Sequence, residues 1–253
     1  WDSKIFDNLT QSGTVIEGGS LNNVSAALAS EVARDFYLGI TLNFVTGSYS
    51  YTRNYFEDDL DNLYVVRPFD ITSLSLREAV ESDLSGFGAK LGLLYKIGRD
   101  SRLGITVKTP TWISVRETYS QEGTSLFDDG FSTTYATASE DKNEYDVTTP
   151  FVFGVGASHT VRNLLLSGEI EYTDYTQMEF RNANARLLSY NTDIKSIFQP
   201  TVNFKAGAEF SFTDAGGKLR GGFAFIPSPY NGDASDFARK YITAGLGFVV
   251  DKS

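Results

Sequence analysis

Thr201-Val-Asn-Phe-Lys-Ala-Gly-Ala-Glu-Phe-Ser-Phe212, then Thr213-Asp-Ala-Gly-Gly217, then Lys218-Leu-Arg-Gly-Gly-Phe-Ala-Phe225, is the stretch that decides the fold. Val202, Phe204, Ala206, Ala208, Phe210 and Phe212 occupy every second position, and Thr201, Asn203, Lys205, Gly207, Glu209 and Ser211 fill the positions between. Successive side chains of a strand point to opposite faces, so this period of two predicts a strand with one apolar and one polar face. Asp214-Ala-Gly-Gly217 has the composition of a tight turn and leads into a second alternating strand. There Leu219, Gly221, Phe223 and Phe225 share one face, and Arg220, Gly222 and Ala224 the other.

The rest of the chain repeats the pattern. Strands are predicted over about 21–32, 36–52, Phe87 to Lys96, Leu103 to about Tyr119, Phe151 to Ala157, Leu164 to Thr173, and Tyr241 to Val250. Residues 1–20 read as polar, with one short strand at Thr14–Glu17. The count is about nine strands, most with an apolar core of roughly 9–11 residues. Connections alternate strictly between tight turns (33–35, 98–101, 160–163, 213–217) and long polar loops (55–82, 120–145, 180–197, 228–238). A soluble β-sandwich, the competing reading, has no reason to gather its short turns at one end. A transmembrane antiparallel up-and-down β-barrel has short periplasmic turns and long external loops, and about ten tilted residues per strand cross its apolar band of about 25 Å.

Composition narrows the function classes. The 253 residues include 19 Phe, 14 Tyr and 23 Gly, which suits strands and tight turns. No apolar run approaches the roughly 18 residues of a membrane-spanning helix, but a barrel hides its apolar residues at alternate positions. The absence of cysteine removes disulfides and thiolate chemistry. A net charge of -10 argues against nucleic acid as a partner. No motif calls for a cofactor, and no nucleophile–base pair points to an enzyme; His159 reads as a turn residue.

The polar face carries Lys90, Lys108, Glu169, Glu171, Lys205, Glu209 and Arg220. Arg220 lies on the strand next to Glu209, within cross-strand reach. These residues suit either a polar contact for a carboxylate headgroup or a salt-bridge network that braces a lumen. Aromatics of the long loops, Tyr55, Phe56, Phe69, Phe127, Phe131 and Tyr135, form a candidate landing surface for an apolar solute. Asp58, Asp59, Asp61, Asp128 and Asp129 read as solvated loop acids, and no metal site is assigned. Pro110, which has no N–H to give a ladder, reads as the end of regular pairing near the outer rim.

Several stretches in order carry a family resemblance. They are Gly104-Ile-Thr-Val-Lys-Thr-Pro110, Thr149-Pro-Phe-Val-Phe-Gly-Val-Gly156, Ser167-Gly-Glu-Ile-Glu-Tyr-Thr-Asp-Tyr175, Phe204-Lys-Ala-Gly-Ala-Glu-Phe210 with Leu219-Arg-Gly-Gly-Phe223, and Pro227-Ser-Pro-Tyr230. From about 21 to 250 the chain resembles the FadL/OmpP1/TodX family of outer-membrane transporters for hydrophobic compounds. The resemblance implies a monomeric barrel of about fourteen strands in the bacterial outer membrane, in contact with its lipids and lipopolysaccharide. It also implies passive uptake of long-chain fatty acids or aromatic hydrocarbons through the lumen and a lateral opening. Residues 1–253 are then expected to be one barrel domain, incomplete at both ends, lacking the family's N-terminal plug and closing strands. A water-filled general porin, or a barrel with adhesive or enzymatic external loops, remains the alternative.

Overall fold

A computed structural model describes residues 9–66, 70–136, 141–212 and 216–248. Strands run in chain order as β1 Thr10–Ala33, β2 Phe36–Asp58, β3 Ile71–Ile97, β4 Ser101–Lys108, β5 Trp112–Phe127, β6 Ser132–Ala136 and β7 Asp141–Thr148. They continue as β8 Val152–Val161, β9 Leu164–Asp174, β10 Glu179–Arg181, β11 Pro200–Ser211, β12 Gly217–Ile226 and β13 Arg239–Phe248, with one helix, α1 Ala185–Ile197, before β11. All thirteen join one sheet, in the order β10-β7-β5-β3-β4-β8-β9-β11-β12-β13, with β2 between β1 and β3, and β6 on β5. The pairs β3–β4, β8–β9, β11–β12 and β12–β13 are antiparallel hairpins, as an up-and-down topology requires. Two compact units divide the chain: Trp1–Asn22, Val45–Ser85 and Ser114–Tyr145 in the first, and Asn23–Phe44, Gly86–Ile113 and Asp146–Ser253 in the second.

The hairpin read first forms as predicted. Phe204 pairs with Phe225, Ala206 with Phe223, Glu209 with Arg220 and Phe210 with Leu219. Gly216 takes the left-handed conformation (φ 60°) in the turn, and Phe212 N–H donates to the Gly217 carbonyl at 2.8 Å. The rest of that predicted turn, 213–215, lies outside the described residues.

Burial is inverted relative to a soluble sheet. Among the described residues Val115 is the one large apolar side chain that is buried; apart from Pro110, Pro150 and three glycines, the other buried residues are polar: Glu57, Asp59, Asp70, Ser82, Thr111, Thr148, Thr173, Thr201 and Asn203. Phe204, Phe210, Phe223, Leu246 and Phe248 are exposed on one face. A soluble sandwich buries such side chains between its sheets. Only an apolar solvent makes this arrangement favourable, and no helix among the described residues is long and apolar enough to supply a membrane span instead.

The structure corrects several boundaries. The strand expected from residue 21 starts at Thr10, absorbing Thr14–Glu17. The first long loop is not 55–82: β2 continues to Asp58 and β3 begins at Ile71. The loop expected over 120–145 is largely strand, because β5 reaches Phe127 and β6 and β7 follow. The 180–197 loop carries α1, capped by Asn184, whose side chain accepts from Leu187 N–H at 3.0 Å. Nine strand runs appear as thirteen segments because β4–β5, β7–β8 and β9–β10 are interrupted and β6 is separate. In the first unit the apolar alternation used to find strands is interrupted, as where Glu78 and Ser82 break the Leu74, Leu76, Val80 and Leu84 face of β3, while Thr, Ser and Tyr keep the β conformation.

Candidate functional site

In the second unit the polar sheet face brings most of the predicted residues together. Glu209 receives Lys218 Nζ on Oε1 and Arg220 Nε on Oε2, each at 2.6 Å. Lys205 Nζ lies 3.6 Å from Glu169 Oε1, its direct register partner. Asn203 Nδ2 donates to Glu171 Oε1 at 3.0 Å, again between register partners. Each carboxylate of this set therefore has a donor within its own sheet, which is the bracing arrangement.

Lys90 and Lys108 are different. They are direct cross-strand partners on β3 and β4, a like-charged pair where opposite charge is the stabilising choice. Both are exposed, and neither makes a hydrogen bond or ion pair among the described residues. The same ladder sets Lys96 opposite Arg102. Lys96 Nζ donates to Tyr37 Oη at 2.8 Å and lies 4.3 Å from that ring's centroid, while Arg102 has no described partner. A shallow concavity on this face is lined by Lys90, Arg102, Thr106, Gly156, Glu169 and Lys205. Glycines hold its floor low, and a Cβ at Gly156 would sit 3.4 Å from the Gly168 carbonyl oxygen. Tyr37, Lys96, Arg102, Asn203 and Lys218 were not singled out from sequence. The pairs on β3–β4 follow from counting back from the 98–100 turn.

A seam crosses the adjoining strands of this unit. Pro110 separates β4 from β5, but pairing does not end there, because β5 resumes at Trp112. Ala89 N–H donates to Thr109 Oγ1 and Thr109 N–H to the Ala89 carbonyl, both at 2.9 Å. On the next strand Pro150 separates β7 from β8, and Thr111 N–H donates to Thr149 Oγ1 at 2.8 Å. Beyond it Phe151 N–H donates to Gln177 Oε1 at 3.2 Å. Side-chain oxygens thus replace ladder carbonyls where proline and a 3-10 turn interrupt the strands.

His159 is a β8 residue rather than part of a turn. Its Nδ1 shares a 2.7 Å hydrogen bond with the hydroxyl of Ser101, its cross-strand partner.

The first unit holds the predicted loop aromatics, apart from Phe69, which lies outside the described residues. Tyr55 and Phe56 belong to β2, not to a loop. Tyr55 donates to Glu57, which also accepts from Gln11 Nε2 at 2.9 Å. Phe127 and Phe131 pack with ring centroids 5.9 Å apart, and Phe131 and Tyr135 are exposed. Arg53 reaches Glu78 at 3.4 Å. The Tyr145 hydroxyl donates to Glu117 at 3.3 Å. The loop acids serve turns. Asp59 accepts from Leu63 N–H (3.0 Å) and Tyr64 N–H (2.8 Å), Asp128 from the Thr72 hydroxyl (3.0 Å), and Asp129 from Phe131 N–H (2.9 Å).

The profile of a family described as outer membrane protein transport protein (OMPP1/FadL/TodX) matches residues 14–253. Among solved structures, the chain is similar to the Ralstonia pickettii toluene transporter TbuX, with 15% identity, 93% of this chain and 60% of that one covered, and a TM-score of 0.51. It is also similar to a Pseudomonas aeruginosa FadL homologue, with 15% identity, 94% and 57% covered, and a TM-score of 0.58. At such identity the likeness establishes the fold, an antiparallel transmembrane β-barrel wall, and the chain spans about three fifths of the length of these two structures. No curated protein matches the sequence. The family is one of bacterial outer-membrane transport proteins, and the profile match covers nearly the whole chain; the chain belongs to the OMPP1/FadL/TodX family of the outer membrane.

Proposed function

We propose that this chain is part of a monomeric outer-membrane channel for the passive uptake of hydrophobic molecules, either long-chain fatty acids or aromatic hydrocarbons. The observation that carries the reading is the division of the polar sheet face. On β9 and β11 Glu169 and Glu209 are ion-paired within the wall and Glu171 accepts from the Asn203 amide, whereas Lys90, Arg102 and Lys108 on β3–β4 have no acceptor among the described residues. A carboxylate headgroup sliding along this face meets compensating charge at one place, the β3–β4 strand pair. The exposed aromatics Phe131 and Tyr135 offer apolar contact for capture. The Pro110–Pro150 seam, where side chains substitute for ladder bonds, is the weakest line of the wall and the proposed lateral exit. External loops contact lipopolysaccharide, and the short turns face the periplasm.

The test measures two activities on one purified sample of the full-length protein in liposomes. Faster entry of a long-chain fatty acid or an alkylbenzene than into empty liposomes, with slow swelling in sugars, is expected. Rapid swelling with no gain in apolar solute entry identifies a general porin and refutes the proposal.

A further inference from the structure

Three short turns of the second unit each carry one arginine: Arg34 between β1 and β2, Arg99 between β3 and β4, and Arg162 between β8 and β9. The turns dock in the same way. The Asp35 carbonyl accepts from Lys96 N–H (2.8 Å), the Asp100 carbonyl from Thr160 N–H (2.8 Å), and the Asn163 carbonyl from Ser211 N–H (2.9 Å). Successive turns are therefore two strands apart, so the arginines recur at roughly 10 Å along one rim.

Turn chemistry does not account for them. The residue with positive φ is Asp35 in the first turn (64°), Gly98 in the second (65°) and Arg162 itself in the third (55°). Arginine thus precedes, follows or occupies the left-handed position. At Arg162 it stands where glycine or asparagine is conformationally favoured. The constant feature is the side chain, not the backbone it sits on.

The guanidinium groups are available. Arg34 is 96% exposed and 3.6 Å from Asp35, an ion pair that water screens heavily. Arg99 and Arg162 make no hydrogen bond or ion pair among the described residues. Glu31, the nearest strand-end acid, accepts from Asp35 N–H at 2.8 Å, and Asp35 and Asp100 are short side chains held at the turns. Beside the arginines the exposed face is aliphatic, with Val32, Ile97 and Val161 all open. Between the second and third turns Ile97, Leu103, Ala157 and Leu166 line an apolar groove that Ser101 and His159 also border.

We propose that this rim binds the headgroup phosphate of an anionic glycerophospholipid, with an acyl chain along the groove. Arginine offers paired N–H donors that match two phosphate oxygens, and its long stem carries them beyond the neighbouring aspartates. A zwitterionic headgroup brings its own cation, which the arginines repel, so a net negative headgroup is preferred.

Native mass spectrometry of the folded full-length protein, after exposure to equal amounts of phosphatidylglycerol and phosphatidylcholine, tests this. Retention of phosphatidylglycerol is expected to exceed that of phosphatidylcholine by about tenfold. The R34Q/R99Q/R162Q variant should bring the ratio close to one, with heat-dependent gel mobility establishing that it is folded. If the triple variant does not fold, R99Q and R162Q singly are each expected to lower the ratio by about threefold. Equal retention of the two lipids by the unaltered protein, or an unchanged ratio in any folded variant, overturns the proposal. So does release of the bound lipid by millimolar inorganic phosphate at constant ionic strength, or by lipopolysaccharide.

Discussion

Phe223→Arg places a cation near the middle of the apolar face, and its cost follows from the register. The apolar positions of β11 and the residue after it run from Val202 to Phe212, and Ala206 within them pairs with Phe223 on β12. A tilted strand rises roughly 2.3 Å along the membrane normal per residue. Phe223 then lies about 2 Å from the midpoint of that band, and Phe225, which pairs with Phe204, about 7 Å from it. Arginine on a lipid-facing position costs about 2–4 kcal/mol at the midplane and about 0–1 kcal/mol near the interface. Phe223→Arg should therefore destabilise by about 2–4 kcal/mol and Phe225→Arg by distinctly less. Ala224 lies between them on the opposite face, paired with Lys205 and Tyr241. Ala224→Arg meets one like charge and should cost about 1 kcal/mol or less. Guanidinium unfolding of the full-length protein in lipid vesicles, followed by tryptophan fluorescence, gives the three values. Equal denaturant slopes would validate comparing midpoints. A larger loss for Ala224→Arg than for Phe223→Arg would mean that the two faces are exchanged, the outcome of a one-residue register slip.

Lys90→Glu turns the like-charged pair with Lys108 into an opposite pair; it should stabilise the fold by about 0.2–1 kcal/mol and slow fatty-acid entry while leaving alkylbenzene entry unchanged, as read in liposomes. Gly47→Ala would put a Cβ 2.4 Å from the Ser20 carbonyl oxygen, so β1 must shift against β2; a loss of about 1–3 kcal/mol in the same unfolding assay is expected. Protease added to intact cells should cut within 59–66 or 231–236 and spare 98–100; cleavage at Arg99 in sealed cells would reverse the proposed orientation.

The fold was legible where one face meets an apolar solvent and the other does not. Phe204, Phe210, Phe223 and Leu246 announce their strands by alternation, and the 98–100 turn alone sets Lys90 opposite Lys108. Legibility fails where both faces are polar. β2 beyond Thr52 runs Arg53, Asn54, Tyr55, Phe56, Glu57 and Asp58, a pattern without an apolar period, so the end of the strand reads as loop. It fails again where a connection is long. Glu169 and Lys205 meet because β9 and β11 are neighbours, yet a 3-10 turn, β10 and α1 intervene in the chain, and no local rule supplies that register. Pro110 misled for a third reason: a missing N–H predicts a break, but the Thr109 and Thr149 hydroxyls re-form the pairing on either side.

Those same hydroxyls show how a wall can be interrupted without being opened. An unsatisfied backbone group in lipid costs several kcal/mol, so a strand cannot simply stop within the band. Thr109 and Thr149 each lend an oxygen to the N–H that proline's geometry leaves without a carbonyl, and Gln177 does the same for Phe151. A threonine oxygen is held by one rotatable torsion and the Gln177 oxygen by three, whereas a ladder carbonyl is held by the whole strand. Replacing one by the other keeps the bond count while lowering the cost of parting two neighbours. On the proposed reading of a lateral exit, the seam is then closed at rest and is the line along which the wall of this unit separates first.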